Sequence, residues 1–140
     1  DCARGRPVKA SSGTTPEQAV DGDYFTSWAA AKGDGAWLFV DLGAARTIDR
    51  VNLLWGWKIH PCRFTVDVAT AAPEKPGSWT VVYTENDRPY RTWEATDRVR
   101  FDPVPARYVR VSAKKRAGNQ TWSGYKLMAL EVPVKAAGSK

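Results

Sequence analysis

No stretch of ten or more residues carries an uninterrupted apolar stripe at helical spacing, and that confines this chain largely to strands. Short alternating runs take the place of helices. Leu38, Val40 and Leu42 share one side of residues 36–42, and Val51, Leu53 and Trp55 share one side of 48–55. Phe64, Val66 and Val68 alternate with Thr65 and Asp67. Val99 with Phe101, Val109 with Val111, and Leu130 with Val132 and Val134 repeat the pattern. A period of two with one apolar side means antiparallel strands covering a core. Turn-forming pairs separate the runs: Asp21-Gly22, Gly33 to Gly35, Leu42-Gly43, Lys75 to Gly77 and Asp102-Pro103. Many short strands at this spacing predict an all-β sandwich or barrel. Longer loops fall at about residues 23–36, 56–62, 85–97 and 113–125, where a rigid β scaffold carries its function.

At 140 residues the chain is one domain's worth. Residues 1–134 read as the folded module and 135–140 as a polar tail or linker remnant. The longest uncharged apolar stretch, residues 51–57, is interrupted by Asn52 and Gly56 and is too short to cross a bilayer. The chain carries a net charge of +6, and its basic residues gather at Lys58 and Arg63 and at Lys114, Lys115 and Arg116, with others near the start and in the tail. A solvated basic surface and an anion-binding face both accommodate it. Two cysteines, Cys2 and Cys62, are consistent with one disulfide in an exported protein, and two unpaired buried thiols are the alternative. The polar surroundings of Cys2 favour the bridge.

The chain holds one histidine, His60, so no histidine-cluster metal site can be built. It has no Gly-x-Ser-x-Gly elbow, phosphate-binding glycine loop, dinucleotide fingerprint or zinc spacing. Nothing argues positively for catalysis. One segment, residues 18–28, does carry chemistry. Asp21, Asp23 and Thr26 crowd oxygen atoms around a glycine-permitted turn, as a hard cation requires. An ordinary Asp-Gly turn with the carboxylate bonding its own backbone explains the same residues.

Eight motifs follow one another in order: residues 5–12, Ala19-Val-Asp-Gly-Asp with Thr26-Ser-Trp28, Trp37-Leu-Phe-Val-Asp-Leu-Gly43, Ile48-Asp-Arg-Val51, Phe64-Thr-Val-Asp-Val68, Trp79-Thr-Val-Val82, residues 105–111, and Leu130-Glu-Val132. As a set they resemble the discoidin, or coagulation-factor C-type, domains, and most of all family 32 of the carbohydrate-binding modules. The resemblance spans about residues 4–134. It implies a galactose-binding-like jelly-roll sandwich with a structural Ca2+. It implies ligands at the Gln18 carbonyl, the Asp21 carboxylate, the Asp23 carbonyl, Thr26, the Leu130 carbonyl and Glu131.

The same resemblance implies a secreted, non-catalytic module, a monomer within a multidomain protein, that targets a parent enzyme or adhesin to a glycan. A neutral galactosyl or glucan-type polymer stands ahead of an anionic polysaccharide. Family members bind sugar in a shallow site formed by loops at one end of the sandwich. The matching loops carry Trp57, Lys58, His60 and Arg63, then Tyr90, Arg91 and Trp93, then Arg116, Asn119, Trp122 and Tyr125, with Lys32 at the border. Aromatic faces stack on pyranoses while planar and charged groups bond the hydroxyls. Trp57 and Trp122 are the expected stacking rings. Trp28, Trp37, Trp55 and Trp79 are read as core. Phospholipid or protein adhesion is the alternative role. Nucleic acid is not an expected partner, because no recognition motif accompanies the basic residues.

Overall fold

The computed structural model describes residues 1–33, 35–56, 59–71, 73, 78–90, 95–117 and 124–133. It contains β1 (Val8–Ala10), β2 (Trp28–Ala29), β3 (Ala36–Trp55), β4 (Pro61–Ala69), β5 (Thr80–Glu85), β6 (Ala95–Arg116) and β7 (Lys126–Glu131), with one 3-10 turn at Pro16–Ala19. Every ladder is antiparallel, in the order β2-β7-β3-β6-β4-β5, and β1 adds to β3.

The organising element is the long ribbon of β3 and β6, whose two halves serve different layers. Residues 36–41 of β3 pair with 108–113 of β6, flanked by β1 and by β4 and β5. Residues 46–55 pair with 95–106, flanked by β7 and β2. Leu38, Val40, Val66, Val109 and Val111 from the first half meet Val51, Leu53, Trp55, Val99 and Leu130 from the second in one buried cluster. The alternation seen in the sequence is this shared core.

Two of the expected turns are bulges instead. The ladder slips register between Asp41 and Arg46, and again between Ile48 and Arg50. Gly43 sits at the first slip with φ of +87°, which a side chain resists. Pro103, which has no amide proton to lend a ladder, falls opposite the second. The chain bends at both and continues as the same strand. The ion pair of Arg107 with Asp41, Nε to Oδ1 at 2.9 Å, ties the bend together.

Two of the four tryptophans read as core lie elsewhere. Trp28 and Trp55 are fully buried, but Trp37 and Trp79 are half-buried on the outer face. There the Trp37 ring stacks on Phe39 at 5.7 Å, and Arg110 lies 4.3 Å over the Trp79 ring. Their side of the strand is the one opposite Leu38 and Val40, so alternation itself places Trp37 and Phe39 outward.

Candidate functional site

Strand register brings four loops to one end of the molecule. Ala36 pairs with Ala113, Pro61 with Arg116, Phe64 with Glu85, and Trp55 with both Ala95 and Leu127. The described residues that follow or precede these strand ends, 30–33, 59–60, 86–90, 117 and 124–125, therefore converge. Backbone bonds knit them: Ala117 N–H donates to the His60 carbonyl at 3.0 Å, Arg88 N–H to Cys62 at 2.9 Å, and Ala30 N–H to Tyr125 at 2.8 Å.

Of the expected ligand-binding residues, Tyr90, Arg63 and Arg116 stand at this end with surface to offer. Tyr90 is 41% exposed. Arg63 is exposed and donates from Nε to the Asn86 carbonyl at 3.0 Å. Arg116 is half-buried and donates from Nη2 to the Gly33 carbonyl at 3.0 Å, and Lys32 lies exposed on that same loop. Both guanidiniums are thus held by backbone from a neighbouring loop. Trp57, Lys58, Arg91, Trp93, Asn119 and Trp122 lie outside the described residues.

Two expected contact residues serve as support instead. His60 is wholly buried, with Nδ1 3.2 Å from the Pro61 carbonyl oxygen and its imidazole stacked under Tyr90. Its aromatic ring makes it a platform beneath the site. Tyr125 is 2% exposed, and its ring meets the buried Trp55 edge-on at 6.2 Å. Position in a polar loop did not reveal that the ring turns inward to complete the core.

A second support was missed in the sequence. Arg88 is buried, its Nη1 3.0 Å from Asp97 Oδ2, and the same oxygen accepts the Trp55 indole N–H at 3.0 Å. This pair anchors the segment leading to Tyr90. A signal existed: Asp97 shares one side of the strand with the buried Ala95 and Val99, and an acid on an inward-facing side needs a cation or donor.

At the opposite end, the Asp21 to Thr26 turn gathers oxygen. Thr26 Oγ1 lies 2.6 Å from Asp21 Oδ2, 2.9 Å from the Asp23 carbonyl and 3.5 Å from the Gln18 carbonyl. Gly22 makes the turn with φ of +80°. Leu130 is held opposite Leu53 in the β3–β7 ladder, and the neighbouring Glu131 accepts the Tyr24 hydroxyl at 2.6 Å. That bond raises the Tyr24 pKa above the ordinary tyrosine value. No three histidine, cysteine or acidic side chains cluster as metal ligands among the described residues. The ligand set that the resemblance implies is of another kind, three carbonyls, a hydroxyl and two carboxylates, and oxygens of these kinds suit a hard cation.

The expected disulfide is not formed. Both cysteines are free. Cys2 Sγ donates to the Val132 carbonyl at 3.3 Å, past the end of β7, and Cys62 Sγ to the Arg116 carbonyl at 3.4 Å. Lys126, where β7 begins, bonds to Ile59 beside the strand of Cys62. The length of β7 at about 3.3 Å per residue, roughly 20 Å, therefore separates the two, whereas a bridge needs Cα atoms within about 7 Å. Cys2 does find apolar company, packing against the core beside the buried Ala3.

No curated protein matches the chain. Solved structures do. Chitosan-binding module 1 from a chitosanase/glucanase of Paenibacillus sp. IK-5 is 32% identical, with 94% of this chain and 97% of that one covered and a TM-score of 0.81. Module 2 of the same enzyme, in complex with chitotriose, is 31% identical over 94% and 98%, with a TM-score of 0.80. The CBM32 of AlyQ, in complex with 4,5-unsaturated mannuronic acid, is 27% identical over 90% and 92%, with a TM-score of 0.67. These likenesses are to non-catalytic modules of carbohydrate-active enzymes and to their galactose-binding-like fold. The F5/8 type C domain profile matches residues 7–127, and the chain belongs to that family.

Proposed function

We propose that this domain is a non-catalytic carbohydrate-binding module that holds a secreted parent protein on a glycan. The observation that carries the reading is the loop end. There a half-exposed Tyr90 ring is backed by the buried His60, and Arg63 and Arg116, each braced by a backbone carbonyl, stand at the same end. A rigid aromatic face with planar donors beside it suits a pyranose. Similarity to chitosan-binding modules supports the glycan class.

The ligand proposed for this end is a neutral glycan. Lys32, Arg63, Lys115 and Arg116 lie in or beside the loops, and the whole chain carries +6. That field opposes a chain of ammonium groups such as protonated chitosan. Braced guanidiniums remain good donors to sugar hydroxyls.

We also propose a structural Ca2+ held by the Gln18, Asp23 and Leu130 carbonyls, Asp21, Thr26 and Glu131. The convergence of three of those oxygens on Thr26 Oγ1 supports it. The ion would fasten the first loop to the last strand. A single shallow site binds weakly, and tandem modules supply avidity. The test is affinity electrophoresis of the domain through gels holding neutral, uronic or ammonium-bearing polysaccharides. Retardation by a neutral polymer, lost in Tyr90→Ala, is expected; retardation by chitosan alone overturns the ligand class.

A further inference from the structure

Away from the loop end, the outer face of the β7-β3-β6 layer carries a row of polar side chains set by register. Asn52 of β3 faces Glu131 on one side and Arg98 on the other, while Arg50 faces Arg100. Two adjoining hollows, of about 210 and 220 Å³, open along this row and share Asn52 and Arg98. One is lined by Arg50 and Arg100, the other by Tyr24 and Glu131. Small residues, Thr96 and Ala129, leave the second one open.

Charge along this groove is not balanced. Arg50 is paired with Asp49 at 2.9 Å. Arg98 and Arg100 are exposed, and among the described residues neither makes an ion pair. Residues two apart on a strand point to the same face about 7 Å from one another, so these two arginines emerge side by side. At the other end Tyr24 is 49% exposed, with its hydroxyl fixed by Glu131, and Phe25 beside it is 97% exposed. Together they present aromatic surface to solvent at this end of the groove.

We propose that this groove is a second glycan-binding surface, specific for a polysaccharide bearing uronate carboxylates. The guanidinium fork matches a planar carboxylate in bidentate geometry. The Tyr24 ring offers a stacking face, and the Asn52 amide bonds hydroxyls. A nucleic-acid backbone offers few hydroxyls for that amide. The groove shares no residue with the Tyr90 end, so the two sites act and fail separately.

The test is native affinity electrophoresis of the whole domain through polygalacturonate, alginate and hydroxyethyl cellulose. Arg98→Ala with Arg100→Ala is expected to weaken polyuronate retardation about ten-fold and to leave neutral-polymer retardation unchanged. Lys9→Ala with Arg46→Ala removes the same charge from exposed positions elsewhere and is expected to retain polyuronate binding. Tyr90→Ala is expected to show the reverse selectivity. Equal loss in the Lys9 and Arg46 variant overturns the proposal, as does undiminished polyuronate binding without Arg98 and Arg100. So does tighter binding of heparin, a DNA oligonucleotide or phosphatidylserine vesicles than of polyuronate through the same two arginines.

Discussion

The Tyr90 ring lies over the imidazole of His60 with centroids 5.7 Å apart and planes 23° from parallel. One partner is wholly buried and the other is 41% exposed, so the pair has an inner and an outer member. The inner ring fixes the height and tilt of the outer one, and the outer one meets solvent.

Tyr90→Ala is therefore expected to weaken binding of a neutral oligosaccharide while changing stability little. Aromatic pairs contribute about 0.5–1.5 kcal/mol beyond area, so the loss should be roughly three- to ten-fold in Kd. Tyr90→Phe, which keeps the ring, should bind close to the parent. Isothermal titration with the oligosaccharide and a thermal melt of each variant check this. Equal binding by the alanine variant removes Tyr90 from the site.

What the sequence made legible follows physical range. Alternation at Leu38, Val40 and Leu42, or at Phe64, Val66 and Val68, is a local signal, and every one of those residues is buried. Where a local signal has two outcomes, the tertiary context decided. Leu42-Gly43 and Asp102-Pro103 have turn chemistry, yet both became bulges because β3 and β6 pair on either side of them. Tyr125 and His60 stand in polar loops, and only the converging strands show that their rings turn inward. The oxygen cluster at Asp21 and Thr26 was readable because its members lie within nine residues, whereas the braces of Arg63 and Arg116 by Asn86 and Gly33 span long separations.

Removing the proposed cation should destabilise the fold. A ligand at a hundred times its Kd contributes about 2.7 kcal/mol, which for a domain of this size lowers Tm by something on the order of 8 °C when it is withdrawn. Differential scanning fluorimetry with Ca2+ and with chelator is the measurement. Asp21→Ala, which removes a carboxylate oxygen from the cluster, should melt at the chelated value in both buffers. Identical melts of the parent in the two buffers would end the calcium reading.

Acid should loosen the bend in β3. The Arg107 guanidinium, hydrogen-bonded to Asp41, holds that carboxyl below the ordinary aspartate range against the opposing effect of its burial, and the Gly43 amide adds to the depression. A depressed folded-state pKa stabilises above the unfolded value of about 3.9, and the contribution disappears as pH falls through the lower folded value. Asp41→Asn should thus be less stable than the parent at pH 7, with the difference shrinking below pH 4. Urea melts at pH 7 and pH 3 test the sign. A gap that widens in acid contradicts it.

Alkali acts on the other side, through Tyr83 in β5. Its hydroxyl donates to Glu85 at 2.7 Å, and that bond, with burial and the nearby carboxylate charge, pushes its pKa up to about 12. The folded state therefore holds a proton that the unfolded chain releases near pH 10. Its stabilisation is complete below pH 10 and is lost as pH rises through about 12. The group is partly exposed, so solvent screening keeps the effect small. Tyr83→Phe has no such proton, so its stability should fall less than the parent's between pH 9 and pH 11. Comparing urea midpoints of the two proteins at those two pH values isolates this residue from general base denaturation. A parent and variant that lose stability in parallel would show that the Tyr83–Glu85 bond does not carry the alkaline response.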